Sequence, residues 1–329
     1  MLEISLTNFT WISLSRGELS AQLDAVQQRL HALSRITLFD LDLSNLLGST
    51  QSSHFSSTAD YSLLVFRRLV MSSEGASDQF LHLDTSPVAF IILDRVILSI
   101  HPESCAIHHT FVQRLKDTPT NRQPTSPADL MLRIVNPMVD TYLELRHGLS
   151  KSMAHWQMQL LSPRKRFHHW DALLAARMRL HHVEDICEDQ RASVQEWIDE
   201  LDTWATASAH ATVLREHDLL MVRSRDVLEH IERVAHHVRR LEQTLEASIQ
   251  IHFSIQGNHT NDIMRTLTAL TAIFLPLNLV TGFFGMNFEF LPLIHRGDGL
   301  WWAIGTMVTV TTALVCIFLR KRYLAKIEP

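Results

Sequence analysis

The 329-residue sequence lacks the features of a disulfide framework, a nucleic-acid-binding protein or an exported protein. Its three cysteines, Cys105, Cys187 and Cys316, are too far apart for a paired metal or disulfide frame and suit a reducing cytosol. Thirty basic and 35 acidic residues give a net charge of −5, so we expect no nucleic-acid partner. The first 14 residues have no basic segment and no continuous apolar core, which argues against a signal peptide.

Motifs for catalysis or for a resident metal are also lacking. There is no phosphate-binding loop, no nucleophile elbow and no HExxH or CxxC frame, so we expect the protein not to be an enzyme. The twenty histidines occur partly as adjacent pairs, whose members point in different directions on a helix. Surface or interhelical histidines are the favoured interpretation, and a zinc site is the weaker alternative.

Proline and glycine are absent from residues 164–256, so nothing there interrupts a helix. Apolar residues late in this stretch form a coiled-coil-like heptad seam, consisting of Val227, Ile231, Val234, Val238, Leu241 and Leu245. The seam predicts a very long helix that packs against other helices. Gly257 and Asn258 are a local weakening, but the residues after them can carry the helix into the next, apolar segment.

Two segments, 267–284 and 300–319, contain no charged residue. Each is close to the roughly 20 residues that a helix needs to cross a bilayer, which predicts a transmembrane hairpin. Basic residues follow the second segment directly, whereas the intervening loop 285–299 carries little positive charge. The positive-inside rule therefore places both termini in the cytoplasm and the loop outside.

We predict an α+β membrane protein. Residues 1–127 are expected to form a cytosolic α/β domain, with strands at 35–43, 62–70, 88–93 and 95–100, helices at 15–34 and 110–116, a polar loop at 48–57 and a proline-rich break at 116–127. A long-helix stalk is expected at 128–262, a two-span hairpin at 263–319 and a basic cytosolic tail at 320–329.

A polar stripe runs along the first span. Its members recur at steps of three or four: Asn261, Met264, Thr268, Thr271, Leu275, Asn278 and Gly282, with Leu267 at the border. Polar side chains in a span face protein or water rather than lipid, so the stripe predicts a pore axis. Ordinary packing between helices is the alternative. The stripe contains no carboxylate, imidazole or thiolate.

Residues 261–294 resemble the CorA family of magnesium channels. The resemblance rests on an apolar span with a central Pro276, on Gly285, Met286 and Asn287 at its end, on a short loop and on a second span with a basic tail. It implies a homo-oligomer, expected to be a pentamer, in which five long helices surround one axis. Positions matching Met264, Leu267, Leu275 and Asn278 line the pore in that family, and Asn261 and Thr271 share their stripe.

The implied function is inward flow of Mg2+, with Co2+ or Ni2+ tolerated, through the inner membrane of a bacterium. Because Mg2+ loses water reluctantly, a ring of Asn287 side chains and Gly285 carbonyls is expected to hold the hydrated ion at the pore mouth. The family's loop acid is replaced by Leu293, although Glu289 and Asp298 remain. Divalent cations and membrane lipid are the expected partners, and no organic cofactor is implied.

A regulatory magnesium site is also implied. Extending the match without gaps places Asp226 at an acidic position of an intersubunit Mg2+ sensor in that family, with Asp78, Asp84 or Asp94 as unranked partners. A solvated helix acid is the alternative. Two other functions stay open: a zinc transporter of the same architecture, against which Met286 counts because that branch tends to carry Gly-Val-Asn, and a membrane-tethered coiled-coil scaffold.

Overall fold

The computed structural model of the protein describes residues 1–48, 51–71, 83–103, 105–119, 122–162, 167–207, 211–286 and 299–320. The chain divides into two compact units, Met1–Ala247 and Ser248–Pro329. The first unit contains a sheet and most of the helices. The second contains two apolar helical segments.

Six strands form one mixed sheet in the first unit, in the order β1-β2-β6-β5-β4-β3. Their bounds are β1 Leu2–Ser5, β2 Thr10–Ser15, β3 His54–Ser57, β4 Ser62–Met71, β5 Leu83–Ile92 and β6 Val96–His101. Strands β2 and β6 are parallel, with Ile12 opposite Leu98, and the other pairs are antiparallel. Every residue of β6 is buried, as expected for a strand that is covered on both faces.

Short helices cover one face of this sheet. They are α1 Arg16–Ala21, α2 Leu23–Ser34 and α3 Asp40–Leu47. A capping box starts α1, in which the Ser15 hydroxyl accepts from the Glu18 backbone N–H while the Glu18 carboxylate accepts from the Ser15 N–H. Apolar residues alternate along the strands, and those on this face, such as Leu63, Val65 and Ile91, join Leu30 of α2 in the core.

Four helices follow the sheet in the described residues, and the last three are long: α4 Ala106–Asp117, α5 Pro127–Leu160, α6 Trp170–Ala207 and α7 Ala211–Phe284. The backbone oxygen of Arg67 in β4 accepts two hydrogen bonds from them, at 2.9 Å from the Tyr142 hydroxyl of α5 and at 2.7 Å from Gln190 Nε2 of α6. Both contacts fix α5 and α6 on β4, and Tyr142 and Gln190 are buried.

Helix α7 has 74 residues and runs through Gly257 without a break, as the sequence predicts. Its seam is packed: Val227, Ile231, Val234, Val238 and Leu245 are buried, and Leu241 is half-buried. A buried hydrogen bond joins α6 to α7, in which Trp197 Nε1 donates to Ser224 Oγ at 2.9 Å. The last helix, α8, spans Gly299–Arg320. The predicted fold class, an α/β part followed by long helices and two apolar helices, is confirmed.

The strand predicted at 35–43 is wrong. Arg35 has a positive φ of 60°, and α3 begins at Asp40. The alternation from Phe39 to Leu43 suggested a strand, but Leu43 and Leu46, three residues apart, are buried on one side of a helix. Asp40 and Asp42 in the first turn are also favourable for the helix dipole.

Three further differences concern segment boundaries. Strand β3 lies within the predicted polar loop 48–57, and the N-terminal strands β1 and β2 were not predicted. The stretch without proline and glycine is not helical at 167–169, and α6 begins only at Trp170. A lack of helix breakers therefore allows a helix but does not require one.

Candidate ion pathway

In the described part of the chain, two helices are long and apolar enough to cross a membrane, within Leu214–Phe284 and at Leu300–Arg320. They coincide with the two uncharged segments that predict the hairpin. Within these segments only Ala269 of α7 and Ala303 of α8 are buried, with 2% and 7% of their surface exposed. Small residues allow helices to approach closely, so Ala269 and Ala303 mark the covered side of each helix.

Half-buried residues of α7 share the face of Ala269. They are Ala272, Ile273, Pro276, Leu277, Val280 and Phe284. A helix turns by about 100° per residue, which keeps all of them within a quarter turn or less of Ala269. The ring of Pro276 therefore belongs to this face and not to the predicted stripe.

Most of the predicted stripe lies on the side of α7 that faces away from Ala269. Thr271, Asn278 and Gly282 each follow a residue of the Ala269 face by two positions, which is about 200° around the helix. Leu275 is 70% exposed, and the other stripe members are exposed as well, namely Asn261, Met264, Leu267, Thr268, Thr271, Asn278 and Gly282. The predicted stripe residues are thus exposed, and Asn261, eight positions before Ala269, lies about 80° from it around the helix rather than opposite it.

Threonine hydroxyls on this face are bonded to their own helix. Thr268 Oγ1 donates to the Met264 carbonyl at 2.8 Å, and Thr271 Oγ1 donates to the Leu267 carbonyl at 2.9 Å. Each hydroxyl therefore donates its proton to a carbonyl of the same helix, and the oxygen lone pairs remain available as acceptors. The face offers neutral oxygens that can accept from the water molecules of a hydrated cation.

The predicted pore-mouth tripeptide lies just after the end of α7. The Gly285 N–H donates to the Thr281 carbonyl at 2.9 Å, and the Met286 N–H reaches the Phe283 carbonyl at 3.4 Å. A Cβ at Gly285 would lie 3.0 Å from the Thr281 oxygen, so this helix end favours glycine. Asn287 and the loop residues Glu289, Leu293 and Asp298 lie outside the described residues.

Asp226, the predicted sensor residue, is exposed on α7 and has neighbours that the sequence did not identify. His230 Nε2 lies 3.7 Å from Asp226 Oδ1, and His230 Nδ1 lies 3.7 Å from Asp140 Oδ1 of α5. Asp84 lies on β5, and Asp94, in the turn before β6, is 3.9 Å from the guanidinium of Arg95. Asp78 lies outside the described residues. Asp140 could not be found from the sequence because 86 positions separate it from Asp226.

A cluster of histidines lies at the sheet of the first unit. The rings of His101 and His108 stack with centroids 3.9 Å apart, and His108 Nε2 is 2.6 Å from Ser13 Oγ. Burial lowers the pKa of His108 to about 4, helped by the nearby His101 and His109. His108 is therefore neutral at physiological pH and serves the packing around Trp11, whose ring contacts His108 edge-on.

Comparison with known proteins identifies the family. A family model described as CorA-like Mg2+ transporter protein matches residues 9–322. The cobalt/magnesium transport protein CorA of Thermotoga maritima is 30% identical over 100 residues, which cover 30% of this chain and 28% of that protein. The magnesium transport protein CorA of Haemophilus influenzae is 32% identical over 101 residues, which cover 31% of this chain and 32% of that protein. The chain therefore aligns with about a third or less of each relative's length.

The fold comparison extends over nearly the whole molecule. The complete structure of the CorA magnesium transporter from Methanocaldococcus jannaschii matches with a TM-score of 0.70 at 18% identity, covering 97% of this chain and 93% of that chain. The shared fold thus includes both the α/β part and the two apolar helices. Because the family model also spans 9–322, the chain belongs to the CorA-like Mg2+ transporter family.

Proposed function

We propose that the chain forms a homo-oligomeric channel that conducts Mg2+ into the cell, with the polar stripe of α7 lining the pore. The observation that carries this proposal is the exposed row of Thr271, Leu275 and Asn278 on the face of α7 opposite Ala269. Amide and hydroxyl groups are costly in lipid, so this face needs a wet or protein environment. Copies of α7 around a shared axis supply that environment, and we propose a pentamer.

The stripe suits a hydrated ion. Its neutral oxygens bind a dication weakly enough to release it, which conduction requires, and it has no imidazole or thiolate to retain a transition metal. Exposed Met264 and Leu267 at the cytoplasmic end add an apolar ring that can close the pore by excluding water. Mg2+ is the preferred cargo in this proposal, and Co2+ and Ni2+ are tolerated.

The pore mouth is assigned to Gly285, Met286 and Asn287. The end of α7 at Phe284 and the hydrogen bond from the Gly285 N–H to the Thr281 carbonyl, at 2.9 Å, support a helix end at this tripeptide. In the proposal the Asn287 amide and the Gly285 carbonyl accept hydrogen bonds from the water shell of Mg2+, which the ion keeps. The loop then faces outwards, both termini are cytoplasmic and the protein resides in the bacterial inner membrane.

Regulation is assigned to Asp226 with its neighbours Asp140 and His230. Two carboxylates on either side of a histidine repel each other less when a cation or a proton lies between them. Bound Mg2+ at Asp226, shared with an adjacent copy, would stabilise a closed pore, and its loss at low Mg2+ would release the helices. A zinc transporter of the same architecture is less favoured because the stripe lacks imidazole and thiolate ligands.

Growth rescue tests the proposal. A Mg2+-uptake-deficient bacterial strain that expresses the chain should grow at low Mg2+, and the Asn287→Ala variant at equal membrane abundance should not. If the membrane-inserted wild type fails to rescue growth, the channel function is refuted in favour of a scaffold. If Asn287→Ala rescues as well as wild type, the assignment of the pore mouth is wrong while the channel function stands.

A further inference from the structure

Helices α6 and α7 of the first unit bring together three potential metal ligands. His181 and Glu184 lie three residues apart on α6, and Glu242 lies on α7. One ligand atom from each side chain lies within 4.8 Å of the other two. Residues at i and i+3 share one side of a helix, so both α6 ligands can face the same ion.

The three side chains differ in their exposure to solvent. The side chains of Glu184 and Glu242 are only 15% and 21% exposed, whereas that of His181 is 66% exposed. The two carboxylates are thus confined between the helices and the imidazole lies at the rim. Three protein ligands with one open side are typical of a metal site that keeps an exchangeable water.

Arginines hold both carboxylates in place without using all their oxygens. Arg239 Nε lies 2.8 Å from Glu184 Oε1, and Arg177 Nε lies 3.5 Å from Glu242 Oε1. The second oxygen of each carboxylate can therefore accept another partner. The Asp185 carboxylate, 4.0 Å from His181 Nε2, adds further negative charge. The arginines orient the ligands, and they also make the site weaker than one formed by unpaired carboxylates.

The donor set favours a transition metal over Mg2+. Mg2+ prefers oxygen ligands only, whereas one imidazole with two carboxylates suits Zn2+, Co2+ or Ni2+. We propose that His181, Glu184 and Glu242 form a binding site for such a divalent transition-metal ion, which ties α6 to α7. The three ligands belong to the first unit and are not members of the polar stripe, so occupancy of this site does not depend on ion conduction.

Co2+ titration of the full-length protein in detergent tests this site. With millimolar Mg2+ present to occupy oxygen-only sites, the visible absorption of bound Co2+ reports imidazole ligation. We expect one such Co2+ per chain in the wild type, a loss of affinity of about tenfold or more in His181→Ala, and a similar loss in Glu242→Gln. His182→Ala is the matched control, since His182 is an exposed neighbour on α6 and should leave the spectrum unchanged.

Thermal unfolding supplies a second readout. Zn2+ should raise the melting temperature of wild type and of His182→Ala, because an ion that binds only the folded state stabilises it. Zn2+ should not raise the melting temperature of His181→Ala. Because His181 is exposed, misfolding of this variant would not explain the missing shift. An equal Co2+ spectrum and an equal Zn2+ shift in wild type, His181→Ala and Glu242→Gln would overturn the proposal. That result would leave the proposed transport of Mg2+ untouched.

Discussion

On α7, Thr271 lies two residues after Ala269 and points to the opposite side of the helix, so that Ala269 is buried and Thr271 is exposed. The pair shows that α7 has one covered face and another that is uncovered and carries polar side chains. A lipid-facing surface would not need the hydroxyl and amide groups of Thr271 and Asn278. The uncovered face is therefore the part of the molecule on which the proposed function depends.

Removing one stripe hydroxyl should reduce ion flux. Thr271→Val keeps the shape of the side chain but removes an oxygen that can accept from ion-bound water. One hydrogen bond is worth about 1 kcal/mol, so we expect Mg2+ flux to fall about fivefold, and more if all copies contribute. Mg2+ uptake by cells, normalised to membrane abundance, measures the effect.

The matched control is Thr266→Val. Thr266 Oγ1 also donates to the carbonyl four residues before it, that of Asp262, at 2.9 Å, but it lies off the stripe. The control should conduct like wild type. Equal flux in all three proteins would show that the Thr271 oxygen does not meet the ion.

An ion pair with a buried carboxylate joins α5 to α7. Arg223 Nη1 lies 2.6 Å from Asp129 Oδ1, and Asp129 is fully buried at the start of α5. Arg223→Met should destabilise the first unit by about 2–3 kcal/mol, or roughly 5–10 °C in melting temperature, because it leaves a buried carboxylate with less compensation. The loss is limited because Arg133 still lies 3.0 Å from Asp129 Oδ2.

Thermal unfolding of the full chain measures this effect. Arg225→Met, two residues further along α7 and exposed, is the control and should melt within a degree or two of wild type. Equal melting temperatures for both variants would mean that the pair with Asp129 contributes nothing to stability.

The histidine cluster at the sheet should make stability depend on pH. The unfolded chain protonates His108 near the ordinary pKa of 6.5, whereas the folded chain does so only near pH 4. The contribution of neutral His108 to the free energy of unfolding is thus fully present above about pH 6.5, and it is lost as the pH falls towards 4. With allowance for solvent screening of this half-buried ring, we expect a loss of about 2 kcal/mol.

The His108→Gln variant isolates this contribution. Glutamine keeps a polar partner for Ser13 but does not titrate. The melting temperature of the His108→Gln variant should therefore fall less than that of wild type between pH 6.5 and 4. Parallel pH profiles for the two proteins would show that His108 is not the responsible group.

Neutralising the proposed sensor should weaken feedback. In Asp226→Asn, inhibition of flux by Mg2+ on the cytoplasmic side should require several-fold more Mg2+, because one carboxylate of each regulatory site is lost. Flux measured against cytoplasmic Mg2+ concentration tests this. Glu246→Gln, an exposed acid elsewhere on α7, is the control. Identical inhibition curves would make Asp226 an ordinary solvated acid.

Periodicity predicted some parts of this molecule well. The seam from Val227 to Leu245 and the stripe from Asn261 to Gly282 repeat over several turns, and a long repeat fixes which residues share a face. Both patterns lie within one helix, α7, so they can be recognised without knowing how separate segments of the chain pack together. The structure places each pattern on a single side of that helix.

Short elements and distant contacts were not predictable in the same way. The alternation through Leu41 and Leu43 fits a strand locally. The segment forms helix α3 instead because this conformation packs both Leu43 and Leu46 against the sheet. Strand β1 buries almost nothing and has no periodic signal. The contacts of Asp226 with His230 and Asp140, and of Glu242 with α6, depend on how separate helices pack, which their own sequences do not specify.

The most direct test of the central claim is Mg2+ flux into liposomes that contain only the purified chain, followed with a Mg2+-sensitive dye inside the vesicles. We predict influx that saturates with external Mg2+ and rises with an inside-negative potential, since each charge gains about 2.3 kcal/mol per 100 mV and a dication about twice that. Influx should fall in Thr271→Val and persist in Thr266→Val. Folded, correctly inserted protein with no influx above that of empty vesicles would contradict the account.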